Sequence, residues 1–219
     1  LIRVGMSGTV RTGDPVRDMQ LEGATGPSVE ITTYGELEQL GFIARPTIYL
    51  VRPAAHTYPS YEHIRAAVLP DWSHNPRRLA SMGAKLFAYA YEMGIVYNAH
   101  RTQRLIDIAL RAAHTGQKVL ILCTRLDHGT QIRTRCIGQP FVVSWLSGED
   151  TPETRTVALA AFRHAPAGAV LIASTIFDEG IDLPEIDLLV LAGGGESTIR
   201  TLQRVGRALR PRPDKQSVA

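Results

Sequence analysis

The second half of the chain alternates short apolar segments with amphipathic ones, and this alternation limits the possible fold more than any other feature. Residues 118–123 (KVLILC) form a continuous apolar run, typical of a strand that is buried on both faces. Similar runs predict strands at 141–146, 169–173 and 188–191. Strands that alternate with helices through short links indicate a mainly parallel sheet with helices on both faces. The sequence therefore predicts an α/β fold.

Local signals place the helices between these strands. Asn98 is a good N-cap for a helix with an apolar stripe, which Gly116 ends. A second helix is predicted over 124–137. Thr151 is expected to cap a third helix, with Pro152 at its first position, that runs to about residue 164.

The first half of the chain is harder to interpret. Its Gly, Pro and Asp content predicts a loop over 12–27, and short helices are predicted over 34–40 and 61–68. The β-branched and aromatic residues 47–51 (TIYLV) predict a strand. Residues 54–93 give no clear pattern apart from the helix at 61–68.

Composition excludes several classes of protein. The chain has 219 residues, 44% of them hydrophobic, which is enough for a real core, and a net charge of +3. This mildly basic balance is compatible with a nucleic-acid partner but is weak support for one. Cys123 and Cys136 match no metal spacing and are expected to be free thiols in a reducing compartment. No apolar run could span a bilayer. Both ends are expected to continue in a longer protein.

The chemically suggestive residues cluster in the predicted topology. Ligands bind at the carboxyl ends of the strands in open parallel sheets. Four loops leave strands at that edge, at 124–125, 147–148, 174–182 and 193–197. Each suggestive residue lies in one of these loops or in the helix that follows the last of them.

That helix carries an arginine-rich face. Gln203, Arg207 and Arg210 share one side of a helix at i, i+4 and i+7, beside Gly206. Arginine holds phosphate oxygens with a planar pair of donors, so this face could bind the end of a polyphosphate. The alternative, for the helix alone, is a solvated basic surface.

Two glycine-containing loops are candidate nucleotide sites. In 175–184, Gly180 is expected to relieve backbone strain and Asp182 to accept hydrogen bonds, for example from a ribose; the alternative is an ordinary acidic turn. The acidic pair at 178–179 could suggest a Walker B site that holds magnesium. This role is rejected, because no phosphate-binding GxxxxGK[ST] loop is present. The run 193–195 fails the GxGxxG fingerprint, which disfavours a Rossmann-type oxidoreductase.

Together these motifs resemble the second motor lobe of superfamily two nucleic-acid helicases. Residues 203–210 fit motif VI (QxxGRxxR), 175–184 fit motif V, and 119–129 fit motif IV. Residues 5–9 fit motif III, and 147–148 fit the turn that contacts the nucleic-acid backbone. The likeness is greatest to phage recombination and branch-migration helicases and then to transcription-repair helicases. It implies a RecA-like three-layer sandwich.

The resemblance also implies roles for individual residues. Arg207 and Arg210 would be arginine fingers on the γ-phosphate of ATP, and Gln203 would contact that phosphate or its water. Gly180 and Asp182 would meet the nucleotide. The nucleic-acid backbone would be contacted by residues from three of the loops and from the start of the arginine-rich helix: Thr124, Arg125, Gly148, Thr175 and Thr198. Ser7 and Thr9 would couple the two lobes.

The resemblance further implies how the chain is organised. Residues 1–10 would end the first motor lobe, 11–97 would form a connector and the start of the second lobe, and 98–219 would be the helicase C-terminal domain. The Walker A lysine and the DExH site that holds most of the Mg²⁺ belong to the first lobe and are absent from this sequence. The isolated chain is therefore expected to be inactive.

The expected partners are the first lobe and a nucleic acid, with DNA favoured over RNA and no membrane. The expected location is intracellular, in cytoplasm or nucleoid, and a phage origin is compatible with the resemblance. The alternative function is a non-hydrolysing module with the same fold that binds nucleic acid or protein.

Overall fold

The structure is a computed structural model that describes residues 14–26, 32–51, 54, 57–68, 76–174, 183–194, 206 and 217–218. The helices in these ranges are α1 (Pro15–Thr25), α2 (Tyr34–Gln39), α3 (Tyr61–Val68), α4 (Pro76–Tyr91), α5 (Ala99–His114), α6 (Leu126–Cys136) and α7 (Pro152–Arg163). The strands are β1 (Arg45–Pro46), β2 (Lys118–Leu122), β3 (Val142–Leu146), β4 (Ala169–Ala173), β5 (Leu188–Leu191) and β6 (Ser217–Val218). A π-helical turn, Glu92–Val96, follows α4.

Strands β2 to β5 form one parallel sheet in the order β3-β4-β2-β5. Val119 of β2 pairs with Val170 of β4 on one side and with Leu188 of β5 on the other. The α/β prediction is confirmed, and each of these four strands lies within one residue of its predicted bounds. The two-residue strands β1 and β6 pair separately, also in parallel.

Alternate residues of β2 enter two different hydrophobic cores. Val119 and Ile121 pack with the buried apolar residues of α5 and α6 on one face of the sheet. Leu120 and Leu122 pack on the other face, with Phe162 of α7. Since side chains alternate along a strand, a run such as VLIL (119–122) is apolar throughout only when both faces are covered. The sheet is thus the middle of three layers.

The predicted helix caps are present on both sides of the sheet. Asn98 Oδ1 accepts a hydrogen bond from the Arg101 backbone N–H at 2.9 Å, and Gly116 follows α5 with φ of 90°. Thr151 Oγ1 accepts from the Thr154 backbone N–H at 3.3 Å at the start of α7. These local signals fix where each helix begins, and so where the adjoining loops lie.

The predicted loop over 12–27 is wrong, because most of it is helix α1. Asp14 caps this helix, with Oδ1 accepting from the Val16 and Arg17 backbone N–H groups at 3.0 and 3.4 Å. Pro15 occupies the first turn and Gly26 the C-cap. Proline at the start and glycine at the end favour a helix between them, whereas the same residues inside a segment would break it.

The predicted strand over 47–51 is also wrong. These residues lie outside any strand and are exposed, with 75% of Ile48 and 83% of Leu50 accessible. High strand propensity reflects packing on a half-buried pleated surface, which this segment lacks among the described residues.

The two short helices predicted in the first half are present. The helix at 34–40 is confirmed as α2, which ends one residue earlier, and the helix at 61–68 is confirmed as α3. Helix α4 is not predicted by the sequence pattern. Among the described residues, no helix has both the length and the apolar character needed to cross a membrane.

Candidate functional site

The carboxyl edge of the sheet brings together the loops after β2, β3 and β5 and the first residue after β4. Backbone hydrogen bonds continue past the strand ends: Cys123 N donates to Ala173 O at 2.9 Å, and Ser174 N to Leu146 O at 3.0 Å. Ala192 N donates to Leu122 O at 2.8 Å. Three predicted nucleic-acid contacts, Thr124, Arg125 and Gly148, therefore lie at this edge.

Thr124 is held in place by a residue from outside its own loop. Its Oγ1 shares a hydrogen bond with the hydroxyl of Tyr91, the last residue of α4. The same hydroxyl accepts a hydrogen bond from the Gly194 backbone N–H at 3.2 Å. One tyrosine thus joins the loop after β2 to the loop after β5.

Arg125 is an exposed cation beside this contact. Its guanidinium carbon lies 5.8 Å from the centroid of the Tyr91 ring, within the range of a cation–π interaction. Arg125 is also the N-cap residue of α6, and its side chain makes no capping hydrogen bond to that helix end. An exposed arginine at a helix N-terminus is well placed to meet an anion, since the backbone N–H groups there also favour negative charge.

Gly148 lies in a tight turn after β3. Asp150 Oδ2 accepts hydrogen bonds from the backbone N–H and the hydroxyl of Ser147 at 2.5 and 3.1 Å. The Gly148 carbonyl accepts from Arg155 Nη2 at 3.1 Å, and Gly148 itself is exposed. The turn presents bare backbone next to the start of α7.

A second arginine, Arg101 of α5, approaches the loop after β5 from inside. Its Nη2 donates to the Gly193 carbonyl at 3.5 Å, while its buried Nη1 has no hydrogen-bond partner among the described residues. Burial lowers the pKa of Arg101, but a guanidinium stays protonated at neutral pH. The loop thus has a partly buried positive charge behind it.

His128 lies behind the same edge and is a core residue. It is 1% exposed, and its Nε2 lies 3.3 Å from the buried Thr102 Oγ1. Burial, together with repulsion from Arg101 and Arg135, lowers the pKa of His128 to about 4. It is therefore neutral at neutral pH, in agreement with a structural role. His100, by contrast, is exposed.

No cluster of three or more His, Cys, Asp or Glu side chains that could hold a metal ion occurs in the described part of the chain. What the edge offers is hydroxyls, backbone and arginine side chains. This combination suits the phosphate oxygens of a polyanion.

Comparison with known protein families decides the assignment of the chain. Residues 100–212 match the family model described as the helicase conserved C-terminal domain. The chain belongs to this family. The resemblance to the second lobe of superfamily two helicases is confirmed, and the helicase C-terminal domain covers α5 to α7 and the four-stranded sheet.

Individual relatives agree with this assignment. The helicase/translocase XPB subunit of the TFIIH basal transcription factor complex from Trypanosoma brucei brucei is 27% identical over 212 residues, which are 96% of this chain and 21% of that protein. The ATP-dependent DNA helicase uvsW of Enterobacteria phage T4 is 27% identical over 129 residues, 58% of this chain and 26% of that protein. The chain spans 21% to 32% of the length of the first curated relatives that it matches.

A solved structure supports the RecA-like fold. The Sulfolobus solfataricus SWI2/SNF2 ATPase core in complex with dsDNA matches with a TM-score of 0.55 and 16% identity. The match covers 91% of this chain and 46% of that one. At this level of identity the likeness speaks for the fold alone.

Many of the predicted site residues lie outside the described residues: Ser7, Thr9, Thr175, Gly180, Asp182, Thr198, Gln203, Arg207 and Arg210. Gly206, within the predicted arginine helix, is described and has helical backbone. The roles of all these residues remain predictions, as do those of Thr124, Arg125 and Gly148.

Sequence reasoning missed Tyr91 and Arg101. Both contact the loop after β5 across a long stretch of sequence, and neither lies in a motif. Tyr91 also precedes the residues that the family model matches. Only the tertiary packing of α4 and α5 at the edge of the sheet reveals them.

Proposed function

We propose that this chain is the second motor lobe of an ATP-dependent nucleic-acid helicase or translocase. It would bind the backbone of a nucleic acid at the carboxyl edge of its sheet and supply arginine fingers to an ATP held mainly by the first lobe. The observation that carries this proposal is the grouping of Thr124, Arg125 and Gly148 at one sheet edge in a helicase C-terminal domain.

The chemistry of this edge favours contacts to the backbone of a nucleic acid. A hydroxyl, a guanidinium and exposed peptide groups all suit phosphate oxygens, and contacts to phosphate carry no sequence information. Binding should therefore be independent of sequence and should weaken as salt rises. Thr175 and Thr198 are proposed to extend this surface.

We place the nucleotide next to the loops after β4 and β5. Gly180 and Asp182 would meet the nucleotide, while Gln203, Arg207 and Arg210 would face its γ-phosphate. Arginine side chains at such a position stabilise charge that develops during phosphoryl transfer. Mg²⁺ would be held mainly by the first lobe, and Ser7 and Thr9 would couple the lobes.

We propose that the isolated chain has no appreciable ATPase or unwinding activity, because it would supply only half of the ATP site. Half of the site cannot hold the nucleotide in place. The proposed organisation is the end of the first lobe at 1–10, a connector with the start of the second lobe at 11–97, and the C-terminal domain at 98–219.

DNA is the proposed nucleic acid. The relatives named above are called a DNA helicase and a subunit of a transcription factor complex, and the similar Sulfolobus core was solved with double-stranded DNA. On the resemblance to recombination and repair helicases, we further propose an intracellular protein that acts in one of these processes. One of the similar proteins is encoded by a phage.

The experiment compares Arg125→Ala with the matched control Arg111→Ala in the longer, two-lobed protein that the proposed function requires. Both arginines are exposed, but Arg111 lies in the last turn of α5, away from the carboxyl edge of the sheet. Its Nε donates to the Asp107 carbonyl at 3.1 Å. Affinity for a labelled oligodeoxynucleotide is measured by fluorescence anisotropy at several salt concentrations.

We expect Arg125→Ala to weaken binding and to reduce the slope of log affinity against log salt by about one. Arg111→Ala should leave both quantities close to those of the wild type. Wild-type affinity and salt slope in Arg125→Ala would contradict a nucleic-acid contact at this edge.

A further inference from the structure

We propose that Tyr91 is a positioning residue that aligns Thr124 and Arg125 for a nucleic-acid backbone and ties their loop to the loop after β5. The inference rests on the proposed function, because it requires that Thr124 and Arg125 contact nucleic acid. It adds a residue that precedes the part of the chain matched by the family model.

The hydroxyl of Tyr91 can order the hydrogen bonds at the edge. It accepts from the Gly194 backbone N–H at 3.2 Å, and it is bonded to Thr124 Oγ1. A phenol both donates and accepts, so its own proton is available for Thr124 Oγ1. The Thr124 hydroxyl then keeps its proton for an outside acceptor such as a phosphate oxygen. Hydrogen bonds in such a chain strengthen one another.

The ring of Tyr91 acts on Arg125. The guanidinium carbon lies 5.8 Å from the ring centroid, so the cation–π contact favours one position of this exposed side chain. Phe87, one turn earlier on α4, lies beside this ring, with centroids 6.2 Å apart and planes at 39°. An arginine that is already restrained loses less conformational freedom when it binds a phosphate.

The loop after β5 fits closely against this pair. A Cβ atom on Gly193 would lie 3.1 Å from Thr124 Cγ2, and one on Gly194 would lie 3.3 Å from Tyr91 Cε2. Arg101 holds the Gly193 carbonyl from the other side. In the sequence, this loop precedes the segment with Gln203, Arg207 and Arg210. Tyr91 therefore contacts the part of the chain that would couple nucleic-acid binding to the proposed arginine fingers.

The test uses the longer protein with four single variants and one double variant. Tyr91→Phe removes the hydroxyl and keeps the ring, whereas Tyr91→Leu removes both. Tyr97→Phe is the matched control, because it deletes a tyrosine hydroxyl that donates to Asp127 Oδ2 at 3.1 Å, in the first turn of α6. Thr124→Val replaces the hydroxyl by a methyl group of similar size, alone and combined with Tyr91→Phe.

The readouts are affinity for a labelled oligodeoxynucleotide, its salt slope, and the oligonucleotide concentration that gives half-maximal ATP turnover. Tyr91→Phe should weaken binding roughly three- to tenfold, the effect of one hydrogen bond, with an unchanged salt slope because Arg125 is retained. The half-saturating concentration should rise by the same factor. Tyr91→Leu should weaken binding further, and Tyr97→Phe should stay within about twofold of the wild type.

The double variant separates positioning from general destabilisation. If Tyr91 acts through Thr124, the combination of Tyr91→Phe and Thr124→Val should bind no more weakly than Thr124→Val alone. Additive losses would overturn the inference, and so would wild-type affinity in Tyr91→Phe together with weakened binding in Arg125→Ala. Wild-type affinity in both Arg125→Ala and Thr124→Val would instead remove the proposed nucleic-acid contact, and the inference with it.

Discussion

Gly129 of α6 and Trp145 of β3 are in such close contact that a Cβ atom on Gly129 would lie 2.1 Å from Cη2 of the indole. Helix α6 follows the loop that carries Thr124 and Arg125, and β3 leads into the turn that carries Gly148. The absence of a side chain at Gly129 therefore sets how closely two of the candidate binding loops approach each other.

Gly129→Ala should be destabilising. The added methyl group would overlap an aromatic ring that sits between the sheet and the helix, and overpacking of this kind costs about 1–3 kcal/mol. The measurement is the free energy of unfolding from urea denaturation. The control is Gly83→Ala in α4, where no atom lies within 4 Å of the new Cβ in the described structure, so it should be neutral or slightly stabilising. Equal stability of the two variants would show that the Trp145 contact is not tight.

His128 should make stability depend on pH. Its pKa falls from 6.5 to about 4 because it is buried near two arginines, so the folded state favours the neutral ring. A depressed histidine pKa contributes stability above the unfolded pKa of 6.5, and this is lost as pH falls toward 4. The loss is on the order of 3 kcal/mol.

The measurement is the free energy of unfolding of the wild type and of His128→Gln between about pH 7 and about pH 4.5. Carboxylates also titrate toward the acid end, so the difference between the two proteins isolates the histidine. His128→Gln should be less sensitive to pH, and His100→Gln, at an exposed position, should keep the wild-type dependence. A pH dependence unchanged by His128→Gln would contradict a buried neutral imidazole.

Both cysteine thiols should be unreactive in the folded protein. Burial raises the pKa of Cys136 to about 11, and Cys123, also buried, directs its Sγ toward the Ala173 carbonyl at 3.5 Å. Reaction requires an accessible thiolate, so a disulfide reagent should find no thiol until the protein is unfolded.

Ile137→Cys provides the positive control for this measurement, since Ile137 follows Cys136 and is 66% exposed. With a disulfide reagent that releases a chromophore, the folded variant should release one equivalent rapidly. The two native thiols should react only after the protein is unfolded in guanidinium. Rapid labelling of the wild type without denaturant would contradict this prediction, because it would show that the reagent reaches the buried thiols in the folded protein.

The sequence predicts those parts of the fold whose local and tertiary signals agree. The four-stranded sheet is built from runs such as VLIL (119–122) that are apolar because both faces are buried. Helices α5 and α7 begin at the side-chain caps of Asn98 and Thr151. The loops that follow such strands have a fixed place, so the sequence pattern alone assigns Thr124, Arg125 and Gly148 to one edge.

The remaining features depend on context. Asp14, Pro15 and Gly26 have the composition of a loop, although they mark the two ends of a helix. The apolar residues of 47–51 have strand propensity but no described strand partner. Tyr91 meets Thr124 and Gly194 only because α4 packs at the carboxyl edge, and no short sequence pattern encodes that contact.

The most direct test of the central claim is nucleic-acid-stimulated ATP turnover by the longer protein, with and without Arg207→Ala. A motor lobe that contributes an arginine finger predicts a loss of turnover of about a thousandfold or more, with oligonucleotide affinity largely retained. Turnover by Arg207→Ala at the wild-type rate would contradict the assignment of this chain as the second half of an ATP-driven motor.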